Sequence, residues 1–163
     1  MKLYIIGPPA SGKTTLSKVL SHKYKTKAYE LDLIVFDDAN GHKRRTKEEI
    51  EKRYNKILEK PSWIIEDICR KSLSRGLEEC DKIYYLKLPK ILVYFRIFKR
   101  WFKQKIGKER YNYPPTLFQL FDMYRTLNSY YKKEKEKLER ILKYKEKVRF
   151  LSNKEIKRLI NNK

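Results

Sequence analysis

The chain begins with a glycine-containing pattern of a kind that binds phosphate. Residues 7–14 read Gly-Pro-Pro-Ala-Ser-Gly-Lys-Thr and fit G-x-x-x-x-G-K-[ST] without a mismatch. In such a loop, backbone N–H groups converge on phosphate oxygens, Lys13 reaches the β- and γ-phosphates and the Thr14 hydroxyl can ligate Mg²⁺. Gly12 lets the backbone approach the phosphates closely. The residues predicted to bind the nucleotide are Gly7, Pro8, Pro9, Ala10, Ser11, Gly12, Lys13, Thr14 and Thr15.

Two arginines further along the chain could act on a phosphoryl group in transfer. Arg96 and Arg100 are one helical turn apart, so both project from one face of a helix. Transfer spreads negative charge over the γ-phosphate oxygens, and a planar guanidinium meets that charge with two parallel hydrogen bonds. The spacing makes both arginines candidate catalytic residues, with an exposed basic face as the alternative.

Short apolar strands alternate with helical segments, and this pattern predicts the elements that position these residues. Thr46 followed by two glutamates begins a helix, and Pro89 begins another, whose apolar stripe contains Phe95, Phe98 and Phe102. The predicted strands are Lys2–Ile6, Ala28–Asp32, Ser62–Ile68, Lys82–Leu88 and Lys147–Leu151, and one long helix is predicted over Thr116–Leu142. Alternation of this kind is typical of an α/β domain with a parallel sheet.

Asp32 is a third candidate catalytic residue, because it stands at the predicted end of the second strand. In open α/β sheets, ligands bind outside the carboxyl ends of the strands. There Asp32 could orient an acceptor, act as a base on a hydroxyl group or contact Mg²⁺ through water. An exposed acid that opens a loop is the alternative interpretation.

Composition excludes several classes of protein. The chain has 163 residues, 40% of them hydrophobic, and a formal net charge of +21. It contains no apolar run near 18 residues, so neither a membrane span nor a membrane partner is expected. Cys69 and Cys80 form no C-x-x-C pair, and lone thiols without a leader segment indicate the cytoplasm. His22 and His42 lack zinc-ligand spacing.

Basic residues concentrate in the second half of the chain. Residues 89–163 have 22 basic and 7 acidic side chains, against 19 and 13 in residues 1–88. Such a charge favours polyanionic partners, including non-specific contact with nucleic acid. The sequence contains no recognisable nucleic-acid module, and Phe95, Phe98 and Phe102 are expected to pack in the core or in a lid rather than stack on nucleobases.

The motifs together resemble the adenylate kinase-like superfamily of P-loop kinases, and most closely the DNA topology modulation protein family. The more specific segments are Tyr29-Glu30-Leu31-Asp32, Trp63-Ile64-Ile65-Glu66 and Tyr84-Tyr85-Leu86-Lys87-Leu88-Pro89. The resemblance covers about residues 1–160. It implies a P-loop NTPase three-layer α/β sandwich in a single domain, with a five-stranded parallel sheet of order 2-3-1-4-5. A helical lid after the fourth strand, at about 96–115, and an acceptor-binding insertion at about 33–61 are also implied.

The same resemblance assigns roles to residues near the third strand. Glu66 is similar to the acid of the D-G-F-P-R segment in adenylate kinases, which orients waters on Mg²⁺. Arg70 matches that segment's arginine, which holds the acceptor's phosphate, while Asp67 stands where the family usually has glycine. Arg96 to Arg100 resembles the R-I-x-x-R of the lid entrance, and Arg110 and Arg125 are further lid candidates. The arginine that adenylate kinases carry after the second strand is absent, and the nearest bases are Lys43, Arg44 and Arg45.

These observations support three functional hypotheses. The first is an ATP- and Mg²⁺-dependent kinase, similar to nucleoside monophosphate kinases, that transfers the γ-phosphoryl group to a nucleotide or another small acceptor. In this hypothesis Lys13, Thr14 and Glu66 organise ATP and Mg²⁺, and Asp32 and Arg70 face the acceptor. The second is a nucleotide-dependent regulator that binds nucleic acid, and the third is a plain NTPase. The sequence does not identify the acceptor, the base preference or the oligomeric state.

Overall fold

A five-stranded parallel sheet forms the centre of the computed structural model, which describes residues 1–41, 43–109 and 115–161. The strands are β1 (Lys2–Ile6), β2 (Ala28–Glu30), β3 (Phe36–Asp37), β4 (Lys43–Arg44), β5 (Trp63–Asp67), β6 (Lys82–Leu86) and β7 (Val148–Leu151). The central sheet has the order β2-β5-β1-β6-β7, and every neighbouring pair is parallel. The predicted order 2-3-1-4-5 is therefore confirmed. Strands β3 and β4 form a separate antiparallel pair.

Helices connect the strands and cover both faces of the sheet. They are α1 (Lys13–Tyr24), α2 (Leu31–Val35), α3 (Lys47–Leu58), α4 (Arg75–Glu79), α5 (Lys90–Lys105), α6 (Leu117–Lys132), α7 (Glu134–Leu142) and α8 (Asn153–Asn161). The predicted start of α3 is confirmed, since Thr46 and Glu49 form a reciprocal capping box. Within the described ranges, no helix is long and apolar enough to cross a bilayer.

Alternation along β1 builds two cores, one on each side of the sheet. Tyr4 and Ile6 pack on one face with residues of α3, α4 and α7, whereas Leu3 and Ile5 pack on the other with residues of α1, α5, α6 and α8. Successive side chains of a strand point to opposite faces, so one apolar strand supplies both cores. The result is the predicted three-layer sandwich.

The strand register brings the chemically active segments to one edge of the sheet. Ile5 of β1 lies opposite Glu66 of β5, and Glu30 of β2 is also paired with Glu66. All three strands run in the same direction, so the loops that leave their carboxyl ends meet. The predicted phosphate loop after β1 therefore lies beside the residues that follow β2 and β5.

Two predicted elements end differently in the structure. The prediction that Asp32 ends the second strand was wrong: β2 stops at Glu30 and Asp32 lies in the first turn of α2. The predicted long helix over Thr116–Leu142 is interrupted at Lys133, whose N–H donates to the carbonyls of Ser129 and Tyr130. This interruption separates α6 from α7, and Lys137 and Ile141 are the buried residues of α7.

The apolar stripe predicted for α5 does not face the core. Val93 and Ile97 are the buried residues of this helix, while the side chains of Phe95, Phe98 and Phe102 are exposed. Helix α5 has two apolar faces, and helical spacing alone cannot decide which of them meets a sheet. The expectation of core packing for these phenylalanines was wrong. Phe98 instead contacts the ring of Phe102, with centroids 6.4 Å apart.

Candidate active site

The loop between β1 and α1 has the backbone conformation that a phosphate-binding loop requires. Gly12 caps α1 with φ of 96°, in the left-handed region that favours glycine. Ala10 also has a positive φ, of 55°, at the position where many such loops carry glycine. The N–H of Ser11 donates to the Pro8 carbonyl over 3.3 Å, which closes the loop on itself. The free N–H groups of the first turn of α1 then face the loop, where a phosphate is favoured.

Thr14 and Glu66 meet at the head of this loop. The Thr14 hydroxyl donates to Glu66 Oε1 over 2.6 Å, and Glu66 Oε2 is buried without a hydrogen-bond partner. Burial raises the pKa of Glu66 to about 7, although the Thr14 hydrogen bond and Lys13 oppose that shift. A threonine hydroxyl beside a carboxylate with a free oxygen fits Mg²⁺, which takes few protein ligands and keeps several waters.

Lys13 is the basic residue of the loop, and three acidic side chains of the site act on its charge. Its ammonium group donates to the Pro8 carbonyl over 2.8 Å. Burial lowers the pKa of Lys13, and Glu66, Asp32 and Asp67 oppose that shift. The two acidic residues predicted for the site, Asp32 and Glu66, therefore both stabilise the charged form of the predicted phosphate-binding lysine.

Arg70 lies between Asp32 and Asp67 and forms an ion pair with each. Asp67 is buried and also accepts a hydrogen bond from the backbone N–H of Arg70, so it fixes both the turn and the side chain. Asp67 is therefore a buried residue of the site and not an exposed acid at the end of the strand. The Asp32 side chain is 61% exposed and holds the outer side of the Arg70 guanidinium. The structure thus brings together Asp32 and Arg70, the two residues predicted to face the acceptor.

Arg96 and Arg100, which the sequence treats as a pair, have different surroundings. The Arg96 guanidinium donates to the Ser11 carbonyl over 2.8 Å and to Asn153 Oδ1 over 2.6 Å. Arg100 is half exposed and lies 3.6 Å from Glu109. Arg96 therefore holds the phosphate loop against α8, whereas Arg100 forms an ion pair with Glu109 at the surface. Asn153 was not predicted as a site residue, because its role depends on the packing of α8 against the loop.

Arg45 supports the segment after β2 rather than a ligand. Its guanidinium donates to the carbonyls of Leu33, Ile34 and Phe36 and lies 3.1 Å from Asp37. Arg44, in contrast, lines a cavity of about 510 Å³ together with Val35, Arg70 and Lys71. Of the basic residues near the second strand, Arg44 is the one positioned toward Arg70.

A second cavity, of about 570 Å³, contains basic residues that the sequence analysis missed. It reaches from Pro9 of the phosphate loop to α6 and α7, and Lys137 and Arg140 are part of its wall. Both lie on the predicted long lysine-rich helix, where spacing gave no reason to separate them from solvated charges. Arg125 lines the same cavity, while Arg110 lies outside the described residues.

The five-stranded parallel sheet and the phosphate loop after β1 define a three-layer α/β fold, and this fold is shared with solved structures of other proteins. A gluconokinase from Sinorhizobium meliloti 1021 has a TM-score of 0.55 and 11% identity, over 98% of this chain and 88% of that one. A shikimate kinase from Bacteroides thetaiotaomicron has a TM-score of 0.55 and 14% identity, over 97% and 93%. No family model matches this sequence, and no curated protein is similar to it in sequence.

Proposed function

We propose that this protein is an ATP-dependent kinase that transfers the γ-phosphoryl group to a nucleotide or another small acceptor. The observation that carries the proposal is the contact between Thr14 and Glu66 beside Lys13, with the Arg70–Asp32 pair at the same sheet edge. The fold shared with two structures described as kinases supports it. The closer resemblance to DNA topology modulation proteins remains a prediction.

The residues of the phosphate loop would hold the ATP end of the site. Backbone N–H groups of Ala10 and of residues 12–15 would bind the phosphates, since Pro8 and Pro9 have no N–H, and Lys13 contributes a positive charge that the amides alone cannot replace. Thr14 and Glu66 would hold Mg²⁺, directly or through its waters. When bound, this ion neutralises charge on the phosphates.

In the reaction, an acceptor oxygen forms a bond to the γ-phosphorus while the bond to the β–γ bridging oxygen breaks. The electron pair of that bond leaves with ADP, so no other reactant is needed. Arg100 would leave its exposed ion pair with Glu109 to meet the charge on the γ-oxygens, while Arg96 keeps the loop in place. If the acceptor is a hydroxyl group, Asp32 is the carboxylate placed to take its proton.

An acceptor screen with labelled ATP tests the proposal. Nucleoside monophosphates, nucleosides, phosphorylated sugars and 5′-hydroxyl oligonucleotides are each incubated with the protein, ATP and Mg²⁺. We expect label to pass to one class and the Lys13→Ala variant to lose this transfer, because a loop lysine acts on transition-state charge. Lys18→Ala, a change at an exposed lysine of the same helix, is the matched control. Transfer by Lys13→Ala within tenfold of the unmodified protein would remove the loop from the mechanism, and release of phosphate without any labelled acceptor would favour a plain NTPase.

Nucleotide-dependent nucleic-acid binding is a second candidate function, favoured by the exposed side of α5. Phe95 and Phe102 are exposed on this helix, which also carries Lys99, Arg100 and Lys103. Aromatic side chains beside basic residues can bind single-stranded nucleic acid, because the rings stack on its nucleobases. Binding is measured between 50 and 200 mM salt. We expect the steep loss of affinity of a generic basic surface. A specific complex of nanomolar affinity at physiological salt would put this function ahead of the kinase.

A further inference from the structure

The cavity between the phosphate loop and helices α6 and α7 is lined by more basic than acidic residues, as far as the structure describes its wall. Its basic wall residues are Arg70, Lys71, Arg125, Lys133, Lys137 and Arg140, and its acidic one is Glu136. Arg70 is already paired with Asp32 and Asp67. None of the other five takes part in an ion pair among the described residues.

Lys137 and Arg140 are held in the wall although their charges are buried. Lys137 is 7% exposed, and its ammonium nitrogen lies 3.5 Å from the centroid of the Tyr130 ring. Arg140 donates to the Cys69 carbonyl over 3.2 Å, while its Nε and Nη1 are buried without an acceptor. Cys69 itself has a φ of 66°, a strained conformation for a residue other than glycine.

Such an arrangement costs stability unless an anion completes it. A buried cation without a counter-charge is unfavourable, and buried N–H groups normally have acceptors. Here two such cations lie one turn apart on α7, next to Cys69, whose backbone is strained and whose carbonyl accepts a hydrogen bond from Arg140. Strain and unbalanced charge of this kind cluster where a ligand binds.

We propose that this cavity binds the phosphate group of a phosphate monoester, and that this monoester is the acceptor of the kinase. A phosphate dianion carries two negative charges and three acceptor oxygens, which suits an ammonium and a guanidinium together better than a carboxylate does. Pro9 of the phosphate loop lines the same cavity, so the cavity adjoins the loop. The proposal rests on the kinase function proposed above and names its substrate class.

Transfer to such an acceptor needs no reactant other than ATP and the monoester. An oxygen of the monoester attacks the γ-phosphorus, ADP leaves with the electron pair of the broken bond, and the product is a phosphoanhydride. The attacking oxygen is already anionic near neutral pH, so no base has to remove a proton. Asp32 can therefore remain paired with Arg70 throughout the reaction.

Calorimetric titration of the full chain tests the proposal in the absence of turnover. The phosphate loop is first saturated with Mg²⁺ and AMP-PNP, and inorganic phosphate or AMP is then titrated, with acetate as the monoanion for comparison. We expect phosphate and AMP to bind and Lys137→Met and Arg140→Met each to weaken binding about tenfold or more, the usual effect of losing a hydrogen bond to a charged group. Lys135→Met, at an exposed position of the same helix, should leave the affinity unchanged.

Melting temperatures separate a binding role from a structural one. Without phosphate, Lys137→Met should melt at the same temperature as the unmodified protein or higher, because it removes an unbalanced buried charge. Loss of binding accompanied by a lower melting temperature would overturn the proposal, as would unchanged phosphate affinity in both variants or equally tight binding of acetate. Should Arg140→Met fail to fold, Lys137→Met decides alone.

The same experiment distinguishes failure of this inference from failure of the kinase function. If AMP-PNP binds with Mg²⁺ but phosphate does not, the acceptor inference fails and the kinase function stands. If AMP-PNP does not bind, the kinase function fails. The cavity is then titrated with phosphate on the Lys13→Ala variant, where binding that depends on Lys137 supports an anion site and its absence refutes one.

Discussion

The Thr14 hydroxyl and Glu66 Oε1 are 2.6 Å apart, although 52 residues separate them in the chain. The parallel pairing of β1 with β5 makes this contact, because it places Glu66 beside the strand that leads into the phosphate loop. The second carboxylate oxygen of Glu66 has no partner. One carboxylate therefore accepts from the loop threonine and still has a free oxygen, which would contact Mg²⁺ or its waters in the proposed kinase.

Glu66→Gln should separate these two roles. The amide oxygen can still accept from Thr14, but the negative charge is lost, so we expect the Mg²⁺-dependent part of ATP affinity to fall about tenfold or more. Without ligands, the variant should be more stable at pH 8, because burial of an ionised carboxylate is unfavourable. ATP titrations with and without Mg²⁺ measure the first effect and urea unfolding the second. Glu51→Gln, an exposed change on α3, is the control, and unchanged Mg²⁺ dependence would contradict the role of Glu66.

Arg96→Ala and Arg100→Ala should have different effects. Arg96 holds the Ser11 carbonyl and Asn153, so its loss should loosen the loop, weaken ATP binding and lower the melting temperature. Arg100→Ala should leave ATP affinity near normal and lower turnover on the order of 10²-fold, because arginines acting on the transition state have effects of that size. Steady-state kinetics and ATP titrations measure both, with Lys99→Ala as the control. Equal losses of affinity and rate in Arg100→Ala would mark it as an ordinary binding residue.

Asp32→Asn should distinguish the kinds of acceptor. With a phosphate monoester as acceptor, the change should mainly raise the acceptor KM. It removes the ion pair that orients Arg70, but the reaction needs no general base in this case. With a hydroxyl acceptor, turnover should fall by about 10²- to 10⁴-fold, the usual share of general-base catalysis. Arg70→Lys should cause the larger loss in the first case; it keeps a cation beside Asp67, which Arg70→Ala would leave buried and unpaired. A large turnover defect in Asp32→Asn with normal kinetics in Arg70→Lys would exclude the monoester.

The pH dependence of stability should report the buried charge of Lys137. Burial lowers its pKa to about 8; Cys69 and Asp67 oppose this shift, while Arg140 and Lys13 add to it. The unfolded chain therefore binds more protons than the folded one between pH 8 and the ordinary lysine pKa, about 10.4, so this group makes stability rise with pH across that window. Lys137→Met should remove this rise and increase the free energy of unfolding at pH 7 by about 1–3 kcal/mol.

Urea unfolding at pH 7, 8, 9 and 10 measures this effect. The charged neighbours of Lys137 are common to both proteins, as are the Tyr130 ring packed on its ammonium and the Glu136 and Lys133 side chains of the same cavity. The difference between the two curves therefore isolates Lys137. A difference that does not change with pH would show that Lys137 keeps its ordinary pKa.

The sequence by itself determined the phosphate loop and the alternation of elements, whereas the strand order was predicted only through the resemblance to a family. Residues 7–14 form one contiguous motif, and the conformation it needs is local: positive φ at Ala10 and Gly12, a preceding strand and a following helix. Five short apolar runs separated by helical segments likewise predict a parallel sheet from local patterns. Glu66 and Arg70 were predicted because they stand at fixed spacing from an apolar strand in a family-like segment.

Only the tertiary structure decided which charges are buried and which apolar faces are not. Lys137 and Arg140 look like other residues of a lysine-rich helix until the break at Lys133 and the packing of α7 place them in a cavity wall. The spacing of Phe95 and Phe102 is that of core residues, but in the structure Val93 and Ile97 are the buried residues of α5. Helical spacing specifies which residues share a face, but what that face meets depends on elements distant in the chain, so burial and counter-charge are properties of the assembled fold.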